Sequence, residues 1–509
     1  MTFDLLKPAE LMSALLPDLL LMVGAMGVML FAAFKPESDD HQRNAGLASI
    51  VVLLVTLVAV LYMAATNPGS GAGVIAVDRF RWTADVIFLL AALGTVALGI
   101  EYNSREHIFP AESHALVLFA TSGMMILAAS RDLMIVFLGI EIMSIAIYVL
   151  AGMNRRSARA AEGSLKYFLL GAFATGFLLY GIALIYGATG STDLTVIGAR
   201  IVEFQLATNS MLMIGVGLLL VGFGFKVAIV PFHMWAPDVY EGAPTPITAF
   251  MASAVKAAAF AAFLRIWLES LSVLDFAWIL PVWWLAALTM VLGNVVALAQ
   301  RNIKRLLAYS SIVHSGYLLV AIASGSGLGA SAFLFYLIAY TLATFGAFAI
   351  VCVMSRPGER GLEISDYDGL WQSRPWLAGA MGVCMLALLG FPLFGGVGFF
   401  AKWYLLQAAL GSRFNLVPLV VLLVLTSVVS AGYYLNLVRV MFMKPRAENA
   451  AEIPALGGFT KAVLAITVLA ILGLGVFPGQ LAEWTKASRP TAPSGQVKAA
   501  AQPSTTAAR

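Results

Sequence analysis

Lys226, Lys256 and Lys402 lie inside long apolar stretches of the 509-residue chain, Lys166 lies just inside another, and Glu141 is embedded in a fifth. On insertion scales each such charge costs about 3 kcal/mol at the centre of a bilayer, and the set on the order of 10 kcal/mol. Charges persist there when they are paired, hydrated or used, and a string of buried ionisable groups across several helices is what a proton path requires. Burial disfavours the charged form of an amine strongly enough to bring its titration near neutral pH, and an adjacent carboxylate opposes that. Opening a lysine–glutamate contact would release a proton, and closing it would recapture one.

Each residue also has a plainer reading. Glu141 could be a structural acid. Lys226 could snorkel to an interface, although about 17 residues of its helix precede it and about ten follow. Lys256 sits among alanines, which leave room for water and for close helix contact. Lys402 follows a proline- and glycine-rich interruption and suits the exit side of a path. Lys166, near the start of its helix, could be an interface anchor. His314 lies about eight residues into its helix, and the near-neutral titration of histidine suits a link between Lys256 and Lys402. His233, just past Pro231, is either structural or a point of proton uptake. Asp238 and Glu241 read as loop acids that cap the next helix.

The elements that must carry these residues are helical. The chain is 61% hydrophobic and 11% charged, where a soluble protein has roughly 25% charged residues. This is an all-α polytopic membrane protein, with about fourteen transmembrane helices between residues 11 and 478. Leu11–Phe34 reads as a retained helix rather than a cleaved signal. Loops after odd-numbered helices hold 16 basic residues and the others hold six, Arg79, Arg81, Arg131, Arg200, Arg265 and Arg413. By the positive-inside rule both termini are periplasmic, in a bacterial inner membrane. Cys352 and Cys384 lack metal-ligand spacing, and the isolated histidines argue against haem. No metal or cofactor site on the chain is expected. Glycine runs inside membrane segments follow no strand, which argues against a nucleotide site, and a net charge of +4 does not point to nucleic acid.

Two helices are interrupted. The segment 209–235 contains Pro231, and the segment 376–408 contains Pro392, Gly395 and Gly396. They are five helices apart, so helices four to eight and nine to thirteen read as two inverted five-helix repeats, each with a broken helix. The expected divisions are 1–112 (helices one to three), 113–268 and 269–443 (the repeats), 444–484 (helix fourteen) and a disordered Ala/Pro-rich tail, 485–509.

The run Lys226-Val-Ala-Ile-Val-Pro-Phe-His-Met-Trp-Ala-Pro-Asp-Val-Tyr-Glu-Gly-Ala-Pro-Thr-Pro246 resembles the signature of the antiporter-like membrane subunits of proton-pumping NADH:quinone oxidoreductase, respiratory complex I. Gly139-Ile-Glu141-Ile-Met-Ser, Ser164-Leu-Lys166-Tyr-Phe and Asn302-Ile-Lys-Arg-Leu-Leu-Ala-Tyr-Ser-Ser-Ile-Val-His314 are similar to that family too, and the resemblance covers about residues 11 to 478. Lys402 stands where the middle sister subunit usually has glutamate, and the long lateral helix of the largest sister is not seen, which favours the subunit N branch. The resemblance implies a proton path through Glu141, Lys226, Lys256, His314 and Lys402, with Lys166 beside it. It also implies NADH, FMN, iron-sulfur clusters and quinone on partner subunits, and contacts with sister antiporter-like subunits, peripheral subunits and lipid. A subunit of a multisubunit sodium/proton antiporter is the alternative, and a passive scaffold is a third reading. Sodium would prefer carboxylate and carbonyl ligands, and the lysine-rich axis argues against it.

Overall fold

Hydrocarbon leaves the backbone no partner but itself, and the fold answers with helices. The computed structural model describes residues 6–490 apart from 35, 67–72, 109, 359, 393–395 and 447–452. Among them, twelve helices are long and apolar enough to cross a membrane. The first six are α1 (Leu16–Ala33), α2 (Asp39–Thr66), α3 (Arg79–Glu106), α4 (Glu112–Ala129), α5 (Leu133–Ala151) and α6 (Ala158–Thr189). A divided element follows, α7 (Ser210–Lys226) and α8 (Ala236–Gly242). Next come α9 (Thr245–Glu269), α10 (Ser272–Leu298), α11 (Ile303–Ala323) and α12 (Gly327–Met354). A second divided element comprises α13 (Pro375–Leu389) and α14 (Gly396–Leu410). The last crossings are α15 (Val417–Met443) and α16 (Gly458–Val476).

Burial sorts these helices into shells. The spanning part of α9 is wholly enclosed, and α11 and α12 are nearly so. The outer faces of α2, α6, α15 and α16 expose Val58, Phe173, Val428 and Leu469. Apolar faces this extensive belong against lipid or partner helices.

One backbone device occurs twice. Asp132 caps α5 by accepting from Met134 N at 2.8 Å, and Asn302 caps α11 by accepting from Lys304 N at 2.9 Å. Each cap pairs with a loop residue far along the chain, Asp132 with Asp193 and Asn302 with Glu363. The flanking bonds match as well: Leu133 N and Leu194 N donate to Thr192 O and Arg131 O, while Ile303 N and Ile364 N donate to Leu362 O and Arg301 O. In register from their caps, Ser311 occupies the position of Glu141, and His314 that of Ser144.

The first interruption falls earlier than Pro231. Helix α7 ends at Lys226, so this lysine is the last helical residue rather than one with ten residues to follow. A proline clashes with the carbonyl four residues back, here Val227, and disfavours helix at the residue before it. The helix therefore closes one turn ahead. Ile229 N donates to Gly224 O and Ala228 N to Phe225 O, with Ala228 left-handed at φ 55°. The second interruption begins at Gly390, φ 78°, two residues before Pro392. There Phe391 N donates to Leu386 O, and Gly390 N to Ala387 O. Gly396 opens α14, whereas Gly395 lies outside the described residues. The two lysines lie on opposite sides of their breaks: Lys226 precedes the first and Lys402 follows the second.

Two further expectations need correcting. Arg81 and Arg265, counted above as loop charges, are fully buried in α3 and α9. Arg81 pairs with Asp18 at 2.5 Å, and Arg265 with Asp78 and Glu269 at 2.8 and 2.7 Å. The expected tail also starts too early. A helix, Pro478–Ala487, runs through its first residues because Leu481, Ala482 and Thr485 bury one face. Residues 491–509 lie outside the described residues.

The halves of the second divided element approach very closely. A Cβ added at Gly398 would lie 1.8 Å from the carbonyl oxygen of Ala387, whereas one added at Gly379 meets nothing within 4 Å. Gly398→Ala is expected to reduce the amount of subunit in assembled membranes, and Gly379→Ala to leave it unchanged, as read by immunoblot. Equal levels would disprove the close approach.

Candidate functional site

Helix α11 supplies the spine of the site. Ser310, Ser311, His314, Ser315 and Tyr317 all project from it and are all buried. The three lysines expected in the interior arrive from three other elements, and each ammonium is held by hydroxyl or carbonyl oxygens.

Lys226 ends α7, where the negative end of the helix dipole favours a cation. Its Nζ donates to Ser144 Oγ at 2.7 Å and to Tyr148 OH at 3.3 Å, both on α5. The Tyr148 ring centroid is 5.6 Å away. The expected direct pairing with Glu141 is not formed. Glu141 is half-buried on α5 and accepts from Thr175 Oγ1 of α6 at 2.9 Å. Ser144, one turn along the same helix, takes the place at Lys226 that a carboxylate was expected to fill, because the end of α7 aims Nζ at that turn.

Several groups at the unwound stretch after Lys226 find protein partners. Trp235 Nε1 donates to Phe225 O at 3.0 Å, Val230 N to Thr289 Oγ1 at 3.0 Å, and Ser315 Oγ reaches Val227 O at 2.7 Å. The last of these ties the break in α7 to the spine. His233 is half-buried in this stretch and does not join the network.

Lys256 lies midway along α9, directly after a π-helical turn, Met251–Val255. Single π turns in α-helices recur at functional positions. Lys256 Nζ donates to Ser311 O at 2.8 Å and to Ser311 Oγ. Tyr340 OH of α12 donates to Ala252 O, a carbonyl of the π turn, at 2.9 Å and hydrogen-bonds Ser311 Oγ at 2.9 Å.

His314 stands between tyrosines. Its Nδ1 hydrogen-bonds Tyr336 OH at 2.5 Å and its Nε2 hydrogen-bonds Tyr434 OH at 3.1 Å, and Tyr434 OH in turn contacts Ser310 Oγ. Its ring lies 5.0 Å from that of Tyr340, beside Lys256, and 5.6 Å from that of Tyr317.

Lys402 completes the line from α14. Its Nζ donates to Leu389 O at 2.8 Å, the final carbonyl of α13, and to Ser427 Oγ at 3.1 Å. It sits 4.9 Å over the Tyr317 ring. A cavity of about 10 Å³ lies between it and His314, about the smallest volume that admits one water.

Lys166 is not part of this line. Its side chain is 43% exposed and pairs with Glu162 at 2.7 Å and Asp238 at 2.8 Å. Asp238 and Glu241 belong to α8 rather than a capping loop, and Arg305 bonds both at 2.9 Å. Burial works against ionisation of Asp238, but the hydrogen bonds from Lys166 and Arg305 hold its carboxyl below its ordinary range. Lys304, fully buried, donates to Ala243 O at 2.6 Å. These contacts fasten α8 to α6 and α11. Sequence reasoning counted Lys304 as a loop charge, whereas it is buried at the start of α11, and missed every hydroxyl partner: Ser144, Tyr148, Ser311, Ser315, Tyr336, Tyr340, Tyr434 and Ser427. Their one signal was the presence of serine and tyrosine inside otherwise apolar segments.

A bundle of apolar helices around a buried line of lysines, with two divided helices, defines an ion-conducting membrane subunit. Residues 130–430 match the family model described as NADH:quinone oxidoreductase/Mrp antiporter, transmembrane, and the chain belongs to that family. It is 47% identical to "NADH-quinone oxidoreductase subunit N" of Gemmatimonas aurantiaca, over 97% of this chain and 98% of that protein. It is similar to a chain of respiratory complex I from Thermus thermophilus, with 36% identity, a TM-score of 0.77, and coverage of 93% of this chain and all of that one. A chain of the Mrp complex from Dietzia sp. shares the fold, at 20% identity and a TM-score of 0.80, over 94% of this chain and 97% of that one.

A Cβ at Gly171 of α6 would lie 2.1 Å from Tyr148 OH, while one at Gly176 meets nothing within 4 Å. Gly171→Ala is expected to push Tyr148 off Lys226 and lower coupled turnover, by up to the ~100-fold that misplacing a reacting group by about 1 Å can cost. Gly176→Ala is the control. Quinone-dependent NADH oxidation in membranes with normal subunit content reads the effect, and unchanged turnover in both variants disproves it.

Proposed function

We propose that this chain translocates protons as the N-type membrane subunit of NADH:quinone oxidoreductase, from cytoplasm to periplasm, along Lys226, Lys256, His314 and Lys402. The observation that carries this reading is the kind of partner the lysines have. Among the described residues, none of the three ammonium groups lies within ion-pair distance of a carboxylate, and each rests on hydroxyls and carbonyls. A lysine locked to a carboxylate stays charged. One held by neutral oxygens in a dry interior can give up its proton, since desolvation disfavours the charge.

The path has three gaps that side chains alone do not close. Between Lys226 and Lys256 the connection runs through Val227 O, Ser315 and Ser311 O, and carbonyls accept hydrogen bonds but hold no proton to pass on. Between His314 and Lys402 lies the small cavity. Between Lys256 and His314, Tyr340 bonds Ser311 on the lysine side and meets the His314 ring at 5.0 Å without a hydrogen bond among the described residues. Water bridging all three gaps would make the line continuous. Glu141, one turn from Ser144, acts on Lys226 through space, as a charge that favours the protonated amine. Lys166 acts as an anchor, and His233 belongs to the unwound stretch.

In this reading helices α4 to α9 and α10 to α15 are inverted copies, supported by the twin capped ladders at Asp132 and Asn302. Both termini face the periplasm across a bacterial inner membrane. NADH oxidation and quinone reduction, with FMN and iron-sulfur clusters, take place on partner subunits. The drive reaches this chain as a conformational or electrostatic change from a neighbouring membrane subunit. The antiporter alternative is weaker, because the carbonyl and hydroxyl oxygens along the axis are already taken by three lysine ammonium groups, which would repel a sodium ion, and Glu141 sits at the half-exposed edge of the axis.

Lys226→Ala in the genome, with assembly verified, is expected to lower both quinone-dependent NADH oxidation and proton pumping in vesicles. Full retention of both would make Lys226 structural. Glu141→Ala is expected to lower turnover in the assembled complex, and normal activity would remove Glu141 from the mechanism.

A further inference from the structure

At the end of the bundle where α2 and α16 begin and α3 and α12 finish, a cavity of about 760 Å³ opens. That is within the size range of small-molecule sites, ~300–1,000 Å³. Its position at helix ends places it at the edge of the apolar layer. Leu98, Val353 and Ala462 line its apolar part, and Arg43, Arg105, Asp39 and Glu101 its polar part.

The acids there are already engaged. Glu101 accepts from Phe459 N at 2.9 Å and from Thr460 N at 3.2 Å, and so caps the start of α16. Asp39 accepts from Ser104 Oγ at 3.0 Å. The cations are not matched in the same way. Among the described residues Arg105 donates from Nη2, toward Cys352 O at 2.5 Å and Ser355 Oγ at 3.2 Å, its guanidinium lies 5.5 Å from the centroid of the Tyr102 ring, and its buried Nε has no hydrogen-bond partner. Arg43 is exposed to the cavity and forms no ion pair among the described residues. A guanidinium offers five donors in a planar fork that suits phosphate. Two arginines with spare donors, beside apolar walls at a membrane boundary, match a group that is anionic at one end and greasy at the other.

We propose that this cavity binds the phosphate headgroup of an anionic phospholipid, with Arg43 and Arg105 as its cationic partners and the apolar wall receiving the start of an acyl chain. The lipid would fill the space between α3 and α16 and hold α16 to the bundle.

The assembled complex, purified in detergent, carries the test. Native mass spectrometry counts tightly held phospholipids in the wild type, Arg43→Gln, Arg43→Lys and, as a control distant from the cavity, Arg156→Gln. The wild type, Arg43→Lys and Arg156→Gln are expected to retain one more phosphatidylglycerol or cardiolipin molecule than Arg43→Gln. After delipidation, phosphatidylglycerol nanodiscs should restore it and phosphatidylcholine nanodiscs should not. Equal counts in the wild type and Arg43→Gln overturn the proposal. So does inorganic phosphate taking the site in place of lipid. Arg105→Lys, which keeps the charge but loses the fork, is expected to weaken retention, and unchanged retention there also counts against the two-arginine site.

Discussion

The nine residues between α7 and α8 impose the constraint on which the site depends. They lie within an otherwise apolar crossing, and each freed polar group needs a protein partner because hydrocarbon offers none. Trp235, Thr289 and Ser315 meet that need from three directions. The break is thereby locked against α11, and Lys226, as the final residue of α7, is set at a fixed point facing α5. The helix end also favours a cation at that point, since its last carbonyls carry partial negative charge. Ala228 adopts a left-handed conformation there at a cost of roughly 1–2 kcal/mol, which the surrounding contacts offset.

The chain treats its buried cations in two distinct ways. Arg81 and Arg265 are tied to Asp18, Asp78, Asp85 and Glu269, and those pairs staple α1, α3 and α9. Removing one partner of such a pair leaves an uncompensated buried charge, so the pairs are rigid. Lys226, Lys256 and Lys402 have neutral oxygen partners. A guanidinium stays protonated under any biological condition, while an amine does not. Residue type and partner type thus separate charges that hold the bundle together from charges that can change state within it.

The two halves of the bundle use similar parts for unlike ends. The capped ladders at Asp132 and Asn302 agree bond for bond, yet the position of Glu141 in one half is Ser311 in the other, and that of Ser144 is His314. Lys226 ends the first piece of its divided helix. Lys402 sits on the second piece of the other and reaches back to the last carbonyl of the first. Both ammonium groups come to rest at the C-terminal end of a half-helix by different routes. The shared requirement is the negative end of a helix dipole, and the sequence position that meets it is free to differ.

Composition alone settled that the chain is a bundle of apolar helices, because hydrocarbon admits little else. The prolines marked which crossings are divided, since a missing donor acts locally. Buried lysines were visible as charges in apolar runs. Local signals could not say what each lysine touches. Lys166, four residues after Glu162 and near a helix end, looked like the others until α8 folded back to bring Asp238 beside it. Glu141 looked like the partner of Lys226 until the course of α7 aimed the ammonium one turn further along α5. Arg81 and Arg265 looked like loop charges until their acids arrived from other helices. The hydroxyl network around His314 joins residues more than a hundred positions apart. Which helix faces which is decided by packing across the whole bundle, and hydrogen bonds between side chains follow from that packing alone.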